Sequence, residues 1–204
     1  MIRRCRDMKV REVVALALTE GKKMGLDQYL TRKIYIGGEY EHRKVTGSIK
    51  IKINGVPVEV DLKKVSYIEE KAGYWRKANQ IHNWFVENVQ NGNDDCGSYY
   101  VRHEQLQELL DTVTDILNKV ELVDGVLNNG YRIEGGVKTM LTEQGKVVAN
   151  PEVCEDLPTT SGFFFGNTDY NEWYVRDLED TKQILIDALD EKYKNDEYEY
   201  SSSW

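Results

Sequence analysis

The chain has 204 residues, 40% of them hydrophobic and 30% charged, with a formal net charge of −8. That length suits one domain, or one domain with an appendage, and buries a core without covalent staples. The acidic balance argues against a nucleic-acid surface, which needs clustered Lys and Arg, and the acidic residues are too scattered for a mimic of DNA.

Val10, Val13, Val14, Ala17 and Leu18 recur at helical spacing and predict a short helix in residues 1–23, stopped at Gly21. Met24-Gly25 reads as an internal chain start. Residues 1–23 are therefore expected to be a helical extension, and residues 24–193 the domain proper, able to fold without it. Residues 45–53 and 56–62 alternate apolar and polar side chains around Asn54-Gly55, a strong hairpin signal. Pro57 confines the second hairpin strand to an edge or begins it, and residues 29–36 offer a third strand. Residues 74–90 are expected to be helical, with Trp75, Ala78, His82, Phe85 and Val89 on one side. Residues 91–97 form a polar loop. Residues 102–120 form a second helix carrying Leu106, Leu109, Leu110, Val113, Ile116 and Leu117. Residues 121–156 are weakly patterned and punctuated by Asn128-Asn129-Gly130, Gly135-Gly136 and Asn150-Pro151, with Val147-Val148 as a short strand. A third helix is expected from about 172 to 193, followed by a frayed acidic tail at 194–204. The expected class is α+β: a small antiparallel sheet or hairpin packed with three main helices plus the N-terminal helix.

Cys5, Cys96 and Cys154 form no short Cys-x-x-Cys pair, so free thiols in a reducing compartment are the simplest reading. The apolar run at 13–18 is far shorter than the ~20 residues of a membrane span. Asp7, Lys9, Arg11 and Glu12 spoil its likeness to a secretory leader. No phosphate loop, nucleophile elbow or dinucleotide fingerprint is present. His42, His82 and His103 make no metal-spaced pair. Neither a cofactor nor a metal is expected.

Three segments stand out by composition: residues 74–85, 94–100 and 159–174. In the third, Phe163, Phe164 and Phe165 are bracketed by glycines and followed by Thr168, Asp169, Tyr170 and Trp173, with Ser161 before them. Rings mixed with short polar groups suit a pocket that stacks a flat ligand and bonds its edges. In the first, Arg76, Asn79 and Asn83 fall near one helical face, Lys77 lies to one side, and Trp75 and His82 lie on the apolar side. The expected ligand-binding set is Trp75, Arg76, Lys77, Asn79, His82, Asn83, Tyr99, Ser161, Phe163, Phe164, Phe165, Thr168, Asp169, Tyr170 and Trp173, with no catalytic residue. A plainer reading competes: the phenylalanines plug the core, Asp169 or Asn171 caps the last helix, His82 bonds within the core, and Cys96 is an inert thiol.

Residues 24–30 (Met24-Gly25-Leu26-Asp27-Gln28-Tyr29-Leu30), 74–90 with Trp75-Arg76-Lys77 and Ile81-His82-Asn83-Trp84-Phe85, 94–99, and 157–174 with Ser161-Gly162-Phe163-Phe164-Phe165-Gly166 together resemble a family of small proteins of tailed phages and prophages. The resemblance covers most of residues 24–192. This chain departs from it in residues 1–23 and in a longer 121–156 region. The resemblance implies a phage accessory or counter-defence role in the cytoplasm of a bacterial host, without implying an activity. Three functions follow as expectations. The first is non-catalytic binding of a small nucleotide-like molecule in the aromatic and polar pocket. The second is inhibition of a host defence protein complex through the aromatic loop and acidic surface. The third is a small enzyme using Cys96 or His82. No membrane partner is expected, nucleic acid is disfavoured, and a homo-oligomer is compatible with the composition.

Overall fold

The computed structural model describes residues 25–37, 40–44, 51–162 and 165–204. The helix expected in 1–23, the start of the first hairpin strand at 45–50, and Phe163 and Phe164 lie outside the described residues. The regular elements are strands β1 (Asp27–Tyr35), β2 (Ile51–Ile53), β3 (Val56–Val58), β4 (Tyr67–Arg76), β5 (Ser98–Val101), β6 (Leu122–Glu134), β7 (Val137–Val148) and β8 (Glu197–Ser203), with helices α1 (Asn79–Asn88), α2 (His103–Lys119) and α3 (Glu172–Ala188). Helices mixed with antiparallel sheet make the class α+β, as the sequence predicts.

The main sheet runs β4-β1-β8-β5, antiparallel throughout. Its strands alternate. Gln28, Leu30 and Arg32 of β1 and Tyr198, Tyr200 and Ser202 of β8 turn to the interior. Lys33 and Glu199 pair at 2.5 Å on the other side. The interior side meets one continuous core. Phe85 and Ile81 of α1, Leu106, Leu109 and Val113 of α2, and Leu178 and Leu185 of α3 pack there with Trp75 and Leu30. One buried face and one wetter face are the usual economy of an antiparallel sheet.

The Asn54-Gly55 hairpin forms, but its second strand ends at Val58 rather than residue 62, and its described strands are exposed on both faces rather than half-buried. Both turn residues take positive φ, 50° and 80°, which a two-residue turn matched to strand twist requires. The second helix matches its expected bounds. The third ends at Ala188, with a short 3-10 turn at Glu191–Tyr193.

Three expectations are corrected. Residues 194–204 are not a frayed tail: β8 lies between β1 and β5, and Tyr198 and Tyr200 are fully buried. The helix predicted over 74–90 begins at Asn79, because Trp75 and Arg76 close strand β4. The weakly patterned stretch 121–156 holds a long hairpin, β6–β7, turning at Gly135-Gly136. Its strands of 13 and 12 residues reach about 40 Å at ~3.3 Å per residue. Only its base is packed, through Leu127, Val148 and a hydrogen bond from the Val148 amide to the Tyr170 carbonyl at 3.1 Å. No helix among the described residues is long and apolar enough to cross a membrane.

Candidate functional site

β4 ends at Arg76, and Lys77 then takes a left-handed conformation, φ 62°, before Ala78 caps α1. That conformation is uncommon for any residue but glycine and costs of order 1 kcal/mol or more, so its surroundings must hold it. They do. The Lys77 amide donates to the Leu26 carbonyl at 2.8 Å. Gly166, itself left-handed at φ 91°, lies so close that a Cβ there would sit 3.2 Å from Lys77 Cβ. Arg76 is aligned by Asp27, whose Oδ1 accepts from Arg76 Nη1 at 3.4 Å and from the Tyr74 hydroxyl at 2.5 Å. Gly25 leaves room for the guanidinium, because a Cβ there would meet Arg76 Nη2 at 3.3 Å. The Gly25-Leu26-Asp27 and Trp75-Arg76-Lys77 motifs are thus two sides of one junction.

Asn79 fastens the aromatic loop to that junction. Its Nδ2 donates to the carbonyls of Phe165 (3.2 Å) and Asn167 (2.8 Å), and its Oδ1 accepts from the Thr160 amide at 2.8 Å. The side chain is buried, and these bonds use both of its donors and one of its two lone pairs.

A cavity of about 230 Å³ lies where junction, loop and α3 meet. Arg76, Lys77, Asn79 and Gln80 line it from the junction and α1, Thr159, Gly166, Asn167 and Asp169 from the loop, and Asn171, Trp173, Tyr174 and Asp177 from the start of α3. The Trp173 indole is 53% exposed. Asp177, one turn along the same helix face, accepts from Gln80 Nε2 at 3.1 Å. Burial pushes the Asp177 carboxyl up to about 6, against the opposing pull of the Gln80 bond. Asp169 accepts from Asn128 Nδ2 of β6 at 2.7 Å. Asn171, rather than Asp169, caps α3: its Oδ1 accepts from the Trp173 and Tyr174 amides. Two cations beside a half-exposed indole suit a small, flat ligand carrying an anionic group.

Of the expected set, the cavity brings together Arg76, Lys77, Asn79, Asp169 and Trp173. Phe163 and Phe164 lie outside the described residues, and the other members of the set stand elsewhere. Trp75 is core, donating from Nε1 to Thr181 Oγ1 at 2.8 Å. Asn83 lines a separate crevice with Asp156 and Pro158. The Tyr99 hydroxyl bonds Asp95 Oδ1 and Asn93 Nδ2, both at 2.9 Å, within the 91–97 loop. Phe165 is buried and meets His82 edge-on at 5.0 Å. Tyr170 packs edge-on against Tyr174 at 5.1 Å. Ser161 and Thr168 are exposed, and the Thr168 carbonyl accepts from Thr159 Oγ1. Thr159, Gly166, Asn167, Asn171 and Tyr174 lay within the highlighted segment but outside the expected set. Gln80 lay within the highlighted residues 74–85 but likewise outside the expected set, and Asp177 was missed altogether, although it sits at i+4 from Trp173, a spacing the sequence displays.

His82 belongs to the interior. Gln28 Nε2 donates to the Ala78 carbonyl at 3.0 Å, which turns Gln28 Oε1 toward the Tyr200 hydroxyl. That hydroxyl donates to it at 2.9 Å, so its oxygen is left to accept from His82 Nδ1 at 2.8 Å. His82 Nε2 lies 3.1 Å from Asp94 Oδ2, and the other Asp94 oxygen accepts from the Trp204 indole at 3.1 Å. Burial alone would push the Asp94 carboxyl up, but its hydrogen bonds with His82 and Trp204 hold it below its ordinary value. His82 is 1% exposed, which removes it from any solvent-borne substrate. Among the described residues no cluster of three His, Cys, Asp or Glu could hold a metal. No family model, curated protein or solved structure matches this chain.

Proposed function

We propose that the protein binds a small nucleotide-like anion, without transforming it, in the cavity between the β4–α1 junction and the start of α3. The observation that carries this reading is that Arg76 and Lys77, braced by Gly25-Leu26-Asp27, and Gly166, Asn167 and Asp169 of the loop line one cavity with the half-exposed Trp173 and Asp177. Its 230 Å³ falls just below the roughly 300 Å³ at which drug-sized sites begin. It therefore suits one base with its sugar phosphate, or one end of a larger nucleotide. Stacking on an aromatic ring contributes ~1–3 kcal/mol, and a charge-assisted hydrogen bond ~1.5–3 kcal/mol. The proposed role is counter-defence, as a sponge for a host signalling nucleotide in the bacterial cytoplasm, a reading that the sequence resemblance to tailed-phage proteins supports.

Mass spectrometry of the small molecules released on heat-denaturing protein purified from bacterial cells tests this directly, and a nucleotide in stoichiometric amount is the expected result. Arg76→Ala is expected to weaken binding of that nucleotide roughly 10- to 100-fold by the same bond energies. Its melting temperature should hardly change, because the Asp27 contact is long and the guanidinium side chain is 41% exposed. Release of no nucleotide, together with a large stability loss on Arg76→Ala, would make Arg76 a structural residue and end the pocket reading.

One observation favours a second reading, in which the protein inhibits a host protein complex by contact. On the β6–β7 arm, Val126, Tyr131, Ile133, Val137 and Met140 are all exposed. Asp124, Glu134 and Glu143 balance Arg132, Lys138 and Lys146, so the arm is neutral on a chain of charge −8. A neutral, apolar projection is the part of an acidic molecule best suited to a protein interface. If the arm is the working surface, replacing Tyr131, Ile133 and Met140 by Ser abolishes association with the target protein and leaves nucleotide titrations unchanged.

A further inference from the structure

Resting on the pocket reading above, we propose that the cavity selects a guanine-type base, stacked on Trp173 with its adjacent N1–H and 2-amino donors turned to the Asp177 carboxylate. Trp173 and Asp177 stand one turn apart on α3 and line the same cavity, so a ring laid on the indole has its edge within reach of the carboxyl. A carboxylate has about four acceptor positions, and among the described residues one of them is filled, at Asp177 Oδ2 from Gln80 Nε2. The rest require donors. Guanine offers two side by side, a geometry that matches a carboxylate in two parallel bonds. Adenine offers one donor beside the lone pair of N1, and cytosine one donor beside the lone pair of N3. Either would set a lone pair against a half-buried negative charge. Sites built to bond a donor reject analogues that lack it far more strongly than apolar slots reject a misfit. Arg76 and Lys77 remain for the phosphate.

The cost that burial imposes on the ionised carboxyl works in the same direction. The charged groups around Asp177 are Arg76 and Lys77 at the junction, Asp169 in the loop, and Arg176 and Asp180 on α3. A ligand that binds the ionised form lowers the carboxyl's pKa, takes its proton off, and loses affinity as the pH falls through about 6. The protonated carboxyl, one donor beside acceptors, fits adenine instead, so the preference between the bases narrows in acid.

Titrating the purified protein, stripped of bound nucleotide, with GMP, IMP and AMP by calorimetry at pH 7.5 and pH 5.0 tests this. At pH 7.5 GMP is expected to bind at least tenfold tighter than AMP, with IMP, which lacks the 2-amino group, between them. At pH 5.0 the gap between GMP and AMP shrinks. Asp177→Asn, nearly the same in shape, removes both the preference and its pH dependence, with the melting temperature recorded to show that it folds. Equal affinity for the three nucleotides in the wild-type protein overturns the base selectivity and leaves the pocket reading standing. No binding of any of them at millimolar concentration overturns both.

Discussion

Replacing Tyr200 by alanine is expected to destabilise the protein by about 4 kcal/mol or more, and removing residues 197–204 to leave no cooperative unfolding transition. Tyr200 is fully buried, lies flat on Phe85 with ring centroids 3.9 Å apart, and joins His82 to Gln28 through its hydroxyl. Truncating a buried aromatic costs ~3–5 kcal/mol through lost burial and the cavity left behind. Here His82 Nδ1 and Gln28 Oε1 also lose their partner, at ~1–3 kcal/mol for each buried group left unpaired. Small domains hold only ~5–15 kcal/mol in total, so little remains. Tyr200→Phe separates the two contributions: it keeps the stack, loses only the hydroxyl, and is expected to cost about 2–4 kcal/mol. Urea denaturation followed by circular dichroism measures all three variants. A C-terminal truncation that unfolds as the intact chain does would mean that β8 is dispensable to the sheet.

Asn79→Asp is expected to cost about 2–4 kcal/mol and to abolish ligand binding in the cavity. The change removes no volume. It replaces the amide nitrogen that donates to the Phe165 and Asn167 carbonyls with an oxygen that can only accept. A buried negative charge then faces two carbonyl oxygens, and only the bond from the Thr160 amide survives. The loop that carries Gly166, Asn167 and Asp169 loses its attachment to α1, and the cavity loses its wall. Limited proteolysis should then cut within 160–170, and nucleotide titration should show no saturation. Wild-type protease resistance in the variant would show that the loop is held by something other than Asn79.

The sequence by itself determined the elements whose cause is local. The period of Leu106, Leu109, Val113 and Ile116 specifies α2, and Asn54-Gly55 specifies a turn with two left-handed residues. It also marked the loop at 159–174 and the Arg76-Lys77 pair as chemically unusual, and five of the residues it singled out line the cavity. What it concealed depends on partners far along the chain. Trp75, Ala78, His82 and Phe85 read as one continuous helical face, yet the chain breaks between strand and helix at Lys77. The left-handed conformation there is held by the Leu26 carbonyl, fifty-one residues earlier, and by close packing against Gly166.

The alternation of Tyr198, Tyr200 and Ser202 with Glu197 and Glu199 was visible in the last residues. Its low apolar content, however, gave no reason to bury it. Only pairing with β1, some 170 residues away, creates the sheet face on which the tyrosines bury their rings and find partners for their hydroxyls. The same holds for His82 and Asn83, both in the expected binding set although His82 reads on the apolar side of the helix and Asn83 on the polar one. Tertiary packing sends one into a hydrogen-bonded core and the other to a separate crevice, because the direction of a side chain is decided by what packs against its helix.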